Sequence, residues 1–355
     1  VILANVENQK IVNIRHVSSG EIDQKMTGQI LATPEIESIT GQDSLTFTNS
    51  NTSPNFIRTS QVVSKFLKNS LNFSPDLVIG ITTQTLNGIV KELGSVNTSN
   101  TLFTSQSFNQ QLADSSLNHT ASQTLISLLE GFTQDIQTQS IPLIKLARPL
   151  INSLNQDDIR IWFNDPANEN PILNHSFAGN IFQSECHPLL VSLNCISDTG
   201  YLTENNLSVA ALNFYSKRQL QHQITIQDQA LQHSYILNYT YDSVPKEINR
   251  DYQALYQIYL HPNAEFVSVE RNNQEIDLKV TKEIVDGLSL FQIPVSHKPE
   301  GSVSIKLNFS LKNILPANIT QGFAYSIKTF HQPGIDQKNT QIIINHSTKL
   351  SVTGV

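Results

Sequence analysis

The sequence predicts a two-domain protein of the α+β or α/β kind, an α/β module followed by an antiparallel β-sandwich. Three observations carry this. The chain has 355 residues, enough for two domains at roughly 100–200 residues each. Up to about residue 155, apolar residues recur at helical spacing between short β-branched runs. Beyond about residue 158 that period gives way to short strands separated by Pro, Gly and Asn. The expected divisions are residues 1–155 for the α/β module, 156–219 for a bridging segment and 220–355 for the sandwich.

Residues 1–6 and 11–14 read as a β-hairpin, both arms β-branched and the turn polar. The chain opens in mid-strand, so an upstream segment carrying an anchor is expected. Residues from about 20 to 56 are polar and are predicted to be irregular, a length that marks a functional or mobile stretch. A helix is predicted from about Ile57, with Val62, Val63, Phe66 and Leu67 at helical spacing. The apolar run 76–81 predicts a buried parallel strand. Leu86, Ile89 and Val90 place a helix over 83–92, and Gly94 stops it.

Residues 122–155 are helical throughout and split near Ile141-Pro142. Leu125, Leu128, Leu129 and Phe132 form one stripe, and Leu143, Leu146, Leu150 and Leu154 the next. The polar face carries Gln and Ser rather than Lys and Arg, which predicts core packing over membrane-surface binding. Strands are then predicted at 159–163, 223–226, 235–239, 254–260, 266–269, 288–293, 303–309, 324–329 and 341–345. Their spacing of roughly ten residues suits an antiparallel, immunoglobulin-like sandwich.

Charge bounds the function. Lys and Arg number 23 against 30 Asp and Glu, a formal net charge of −7. That balance argues against a nucleic-acid or polybasic membrane binder. No apolar run approaches the ~20 residues of a membrane helix. Asn, Gln, Ser and Thr are abundant, as in cell-surface proteins kept soluble by neutral groups or in products of AT-rich genomes. The sequons at Asn72, Asn238 and Asn308 are near chance in such a composition and imply no glycosylation.

The two cysteines, Cys186 and Cys195, stand close together with none elsewhere. That pattern fits one local disulfide in an oxidising compartment; two free buried thiols in a reducing one are the alternative. There is no phosphate loop, Walker sequence or Gly-x-Ser-x-Gly elbow. His119, His187 and His261 read as surface or turn residues, and Asp157-Asp158 as a solvated turn before a strand. Only the 48–58 loop concentrates polar groups around a proline. Asn49, Asn51, Asn55 and Arg58 there are candidates to receive a sugar or phosphate, against a structural cluster of Asx turns.

Taken together, the hairpin at 1–14, Gly20-Glu21-Ile22-Asp23, Asn49-Ser50-Asn51-Thr52-Ser53-Pro54-Asn55-Phe56 and Asp76-Leu77-Val78-Ile79-Gly80-Ile81 resemble one family. Tyr256-Gln257-Ile258-Tyr259-Leu260-His261-Pro262-Asn263-Ala264, Ala324-Tyr325-Ser326-Ile327 and Gln332-Pro333-Gly334 fit the same pattern. The chain resembles the bacterial envelope family named domain of unknown function 4012. Its first half is similar, more distantly, to the LytR-CpsA-Psr domain, whose members move glycopolymers from polyprenyl pyrophosphate carriers onto the cell wall. The resemblance implies a bacterial, extracytoplasmic, cell-envelope protein anchored by an upstream transmembrane helix. It adds Arg15, and Gln123 where that fold supplies an Arg-rich helix, to the ligand-binding candidates.

At the family's Arg-Asp-x-Asn position, however, this chain has Thr48-Asn49-Ser50-Asn51, and Asn55 stands where Asp is common. Pyrophosphate transfer needs Arg, or Mg²⁺ held by carboxylates, on the leaving group. The expectation is therefore a non-catalytic module, without cofactor, that binds a cell-wall or lipid-linked glycan. The alternatives are a glycopolymer transferase using Mg²⁺ and an adhesin-like surface protein. No nucleic-acid partner is expected, and membrane contact is expected only through the upstream anchor.

Overall fold

A computed structural model of the chain describes residues 1–8, 10–98, 101–118, 120–138, 143–208, 212–227, 230–246, 248–312, 314–315, 322–335 and 339–346. The chain is mixed α and β and forms two compact units. In chain order the first elements are β1 (Ile2–Glu7), β2 (Lys10–His16), α1 (Ser19–Lys25), α2 (Pro34–Thr40), α3 (Phe56–Leu71), β3 (Leu77–Ile81), α4 (Thr83–Leu93), β4 (Val96–Asn97) and β5 (Leu102–Phe103). Next come α5 (Phe108–Leu117), α6 (Ala121–Thr138), α7 (Leu143–Asn155), β6 (Ile159–Phe163), α8 (Pro166–Asn174) and α9 (Pro188–Val191). Then follow β7 (Ile196–Asn206), α10 (Leu212–Tyr215), β8 (Ser216–Gln227), β9 (Ala230–Tyr241), β10 (Tyr252–Leu260), β11 (Ala264–Arg271) and β12 (Gln274–Ile276). The last five are β13 (Thr281–Val285), β14 (Leu288–His297), β15 (Ser302–Lys312), β16 (Tyr325–Thr329) and β17 (Thr340–His346).

The first unit comprises residues 1–33 and 42–180. Its strands form three antiparallel pairs, β1 with β2, β3 with β6, and β4 with β5. The 76–81 run is thus not a buried parallel strand. It pairs antiparallel with β6, and Leu77, Ile79 and Ile81 are exposed. A continuous apolar run lacks the alternation that would have told one covered face from two. The 20–56 stretch is also more ordered than expected, because α1, α2 and a 3₁₀ turn over Phe47–Asn49 lie within it. Ser18 caps α1 by accepting from the Glu21 N–H, which gives this short helix its start.

The helix α3 begins at an Asn55 cap and ends at Asn72 in the left-handed conformation. It buries Phe66 and Leu67 with Leu3, Val17 and Ile22. Gly94 ends α4 at positive φ. Leu128 and Phe132 of α6 are buried, as their stripe predicts. The split at Ile141-Pro142 lies outside the described residues. Asp158, read as solvated, is buried at 3% exposure; its carbonyl accepts from the Thr82 N–H and the Thr85 hydroxyl.

The second unit comprises 34–41 and 181–355. One sheet runs β13-β14-β10-β7-β16 and the other β12-β11-β15-β9-β8-β17. The Tyr239 hydroxyl of one meets the Tyr256 hydroxyl of the other at 2.7 Å, so the sheets pack face to face. Burial alternates along β9 and β15, with one face covered. Strand β10 is buried almost throughout because α2 packs on it as well as on β14. The sheets are not wholly antiparallel: β16 runs parallel to β7, and β17 parallel to β8. Residues 156–219, read as a bridge, divide between the units: β6 pairs with β3, and β7 lies between β10 and β16.

Candidate functional site

The 48–58 loop is a built corner at the start of α3. The Asn55 Oδ1 accepts from the Ile57 N–H at 3.1 Å, and the Thr59 hydroxyl donates to the Ser53 carbonyl at 2.9 Å. The Phe56 N–H donates to the Gly179 carbonyl at 3.2 Å. Beneath the loop, Arg160 of β6 is buried and its Nη1 donates to the Pro54 carbonyl at 2.9 Å. Two glycines make room for this. A Cβ at Gly179, whose φ is +59°, would stand 2.4 Å from Arg160 Cδ. One at Gly80 would stand 2.6 Å from Phe56 Cε2.

The candidates therefore part company. Asn55 is buried at 6% and serves as the helix cap. Asn49 ends the 3₁₀ turn and is half-buried, while Asn51 and Arg58 are exposed on the same corner. Arg15 lies on β2, where its guanidinium meets Glu21 at 2.7 Å. The hydrogen bond from Lys25 and the charges of Lys25 and Arg15 hold the Glu21 carboxyl below its ordinary range. Gln123 is exposed in the first turn of α6. His16 and Glu130, 3.7 Å apart, place β2 beside that helix.

Arg160 was missed by sequence reasoning. Its signal is a charged residue flanked by Ile159, Ile161 and Trp162 in a strand, where a charge persists only with partners. Residues 48–58 by themselves offer Mg²⁺ no carboxylate, although the Asp23 carboxylate accepts from the Phe47 N–H at their edge at 2.6 Å. Mg²⁺ is held by carboxylates together with phosphate oxygens and water. Among the described residues no group of three or more His, Cys, Asp or Glu could hold a metal ion.

A second polar set lies between the sheets of the other unit. Asp198 and His233 approach to 3.0 Å with both side chains wholly buried. The other His233 nitrogen meets His222 Nε2 at 2.9 Å. The Asp198 carboxylate also accepts from the Tyr325 hydroxyl at 2.5 Å and the Thr199 N–H at 2.8 Å. Nearby, Arg218 and Glu204 approach to 2.6 Å, and Tyr252 donates to Glu204. His297 Nε2 meets the Tyr241 hydroxyl at 2.8 Å.

Burial governs the titration of this layer. It drives His222 well below its ordinary value, helped by His233, and carries His297 down to about 4. Burial, reinforced by Glu204, pushes Tyr239, Tyr252 and Tyr256 well up. Most of these groups are buried between the two sheets and pair with one another there.

Elsewhere, His187 caps α9 and His261 accepts from the Asn263 N–H in a turn, as read from the sequence. His119 lies outside the described residues. Cys186 and Cys195 form a disulfide. No described helix is long and apolar enough to cross a membrane.

No family model matches the chain, and no curated protein does. Among solved structures, one similar chain is a protein of Legionella pneumophila provisionally called a nutrient binding protein. It is 9% identical at a TM-score of 0.24, with 33% of this chain and 44% of that one covered. Another is leukotriene A4 hydrolase of Saccharomyces cerevisiae, 8% identical at a TM-score of 0.18, covering 26% and 14%. The chain thus spans less than half the length of either, and likenesses this slight carry no argument about fold or activity.

Proposed function

We propose that the chain is an extracytoplasmic protein of a bacterial cell envelope whose first unit binds a glycan or lipid-linked glycan without catalysing its transfer. In this reading the first unit is LytR-CpsA-Psr-like, the second an immunoglobulin-like sandwich, and the whole a member of the domain of unknown function 4012 family. An upstream helix anchors it to the membrane.

The observation that carries the reading is the chemistry of the 48–58 corner. Its exposed polar side chains include the Asn51 amide and the Arg58 guanidinium, on a loop without a carboxylate. Amides recognise sugar hydroxyls, but one exposed cation does not neutralise two phosphates. The disulfide supports an oxidising compartment.

The buried Arg160 under the loop favours a second reading, glycopolymer transfer from a polyprenyl pyrophosphate, because it adds positive charge at the corner. A thermal shift with cell-wall glycans, and separately with a polyprenyl pyrophosphate and Mg²⁺, decides between them. A ligand at one hundred times its Kd stabilises the native state by about 2.7 kcal/mol. Stabilisation by glycan, lost in Asn51→Ala/Arg58→Ala, supports binding. A Mg²⁺-dependent rise with the pyrophosphate makes transfer the better reading. No shift with either retires both and leaves an adhesin-like sandwich.

A further inference from the structure

Residues 187–194 are closed into a loop by the Cys186–Cys195 disulfide. Its aliphatic side chains face water: Leu189 is 78% exposed, Val191 63% and Leu193 54%. Single exposed aliphatics are ordinary, but three at alternate positions of one small loop are not. From Cys186 through Ser197 the chain has no Lys, Arg, Asp or Glu.

The loop is already shaped. The Leu189 N–H donates to His187 Nδ1 at 3.3 Å, and the Leu190 N–H to the His187 carbonyl at 2.8 Å. The Leu193 N–H donates to the Leu190 carbonyl at 3.0 Å, and Pro188 has no N–H to satisfy. At the base, the Leu193 carbonyl accepts from the Ala324 N–H at 3.0 Å, and the Ala324 carbonyl from the Ile196 N–H at 2.8 Å.

We infer that this disulfide-closed tip inserts into the interfacial region of a lipid bilayer, giving the second unit a membrane contact of its own. Two features select lipid over a protein partner. Protein hot spots are built on Trp, Tyr and Arg, with Leu and Val under-represented, and the large exposed apolar groups of this tip are Leu and Val. A backbone that leaves water for hydrocarbon must satisfy its polar groups internally, and the N–H groups of Leu189, Leu190 and Leu193 are so satisfied. The disulfide fixes the tip beforehand, so contact orders little new chain. With no Lys or Arg in the loop, insertion is apolar and little affected by headgroup charge at neutral pH. The inference is independent of the glycan reading, which concerns the other unit.

Flotation of the oxidised full chain with phosphatidylcholine vesicles tests it, at low and high salt. The wild-type chain floats with the vesicles, and salt changes this little. In Leu189→Ser/Val191→Ser/Leu193→Ser, vesicle partition falls by about tenfold or more. A thermal melt confirms that the variant folds, since the replaced side chains are exposed. In Leu189→Trp, emission shifts to the blue on adding vesicles, against the buried Trp162. Absence of wild-type flotation overturns the inference, as does equal flotation by the triple variant. Binding confined to anionic vesicles and abolished by salt also overturns it. So does a self-association that the triple variant loses with no lipid binding at all, which would make the tip a protein contact.

Discussion

Asp198 and His233 face each other across the gap between two sheets, 3.0 Å apart and wholly out of water. Two buried polar groups in that relation stand or fall together. Removing one leaves the other desolvated and unmatched, a loss typically of about 1–3 kcal/mol. Asp198→Asn therefore destabilises the second unit by about that amount. Asp198→Leu/His233→Phe loses less than the sum of its single changes. Urea unfolding of the singles and the double checks both statements, and strict additivity would mean the pair is not coupled.

His297 sets a pH dependence. Burial first, then the Arg271 charge, lowers its folded value to about 4 from an ordinary 6.5. Between those values the unfolded chain binds a proton that the folded chain refuses, so stability is full above pH 6.5 and is lost as the pH falls toward 4. The expected loss is about 2–3 kcal/mol. Burial displaces His222 in the same direction. Unfolding midpoints across pH 4.5–7.5 should show the fall, and His297→Gln should flatten part of it; identical slopes would assign the dependence to other groups.

Opening the Cys186–Cys195 link by Cys186→Ser/Cys195→Ser frees a short loop. The chain-entropy relation gives a loss of about 2–3 kcal/mol. Comparing this variant with wild type, each with and without reductant, isolates the bond: the reductant should destabilise only the wild type.

Gly179→Ala meets Arg160 and a left-handed backbone together. Each conflict alone is worth about 1–3 kcal/mol, and relief requires Arg160 to leave the Pro54 carbonyl. The melting temperature should fall, and amide exchange in residues 53–57 should quicken. Faster melting with unchanged exchange in the loop would separate Gly179 from the corner.

Much of this was legible in the residues, and the gaps have physical causes. Stripes such as Leu128 with Phe132 announce a helix and its buried face, because period and burial are local. Gly94 announces an end for the same reason. Helix α2 was not legible, since a seven-residue helix shows too few turns for a period to emerge. The antiparallel partner of β3 was hidden because an apolar run does not name its neighbour. His222 and His233 meet only once hairpin register places them on one face. In the candidate corner, Asn55 looked like a ligand contact because Asn suits caps and ligands equally. The Arg160 anchor depends on a contact between residues far apart in the chain.

The parallel edges have a consequence for biosynthesis. β7 and β8 are made early in the second unit, yet their outer neighbours are β16 and β17, near the chain's far end. Helix α2 is made earlier still and belongs on β10 and β14. As the chain leaves the ribosome, two strand edges and one helix thus wait for partners not yet translated. Such edges are open to wrong pairing until their partners are made, the last of them ending at His346.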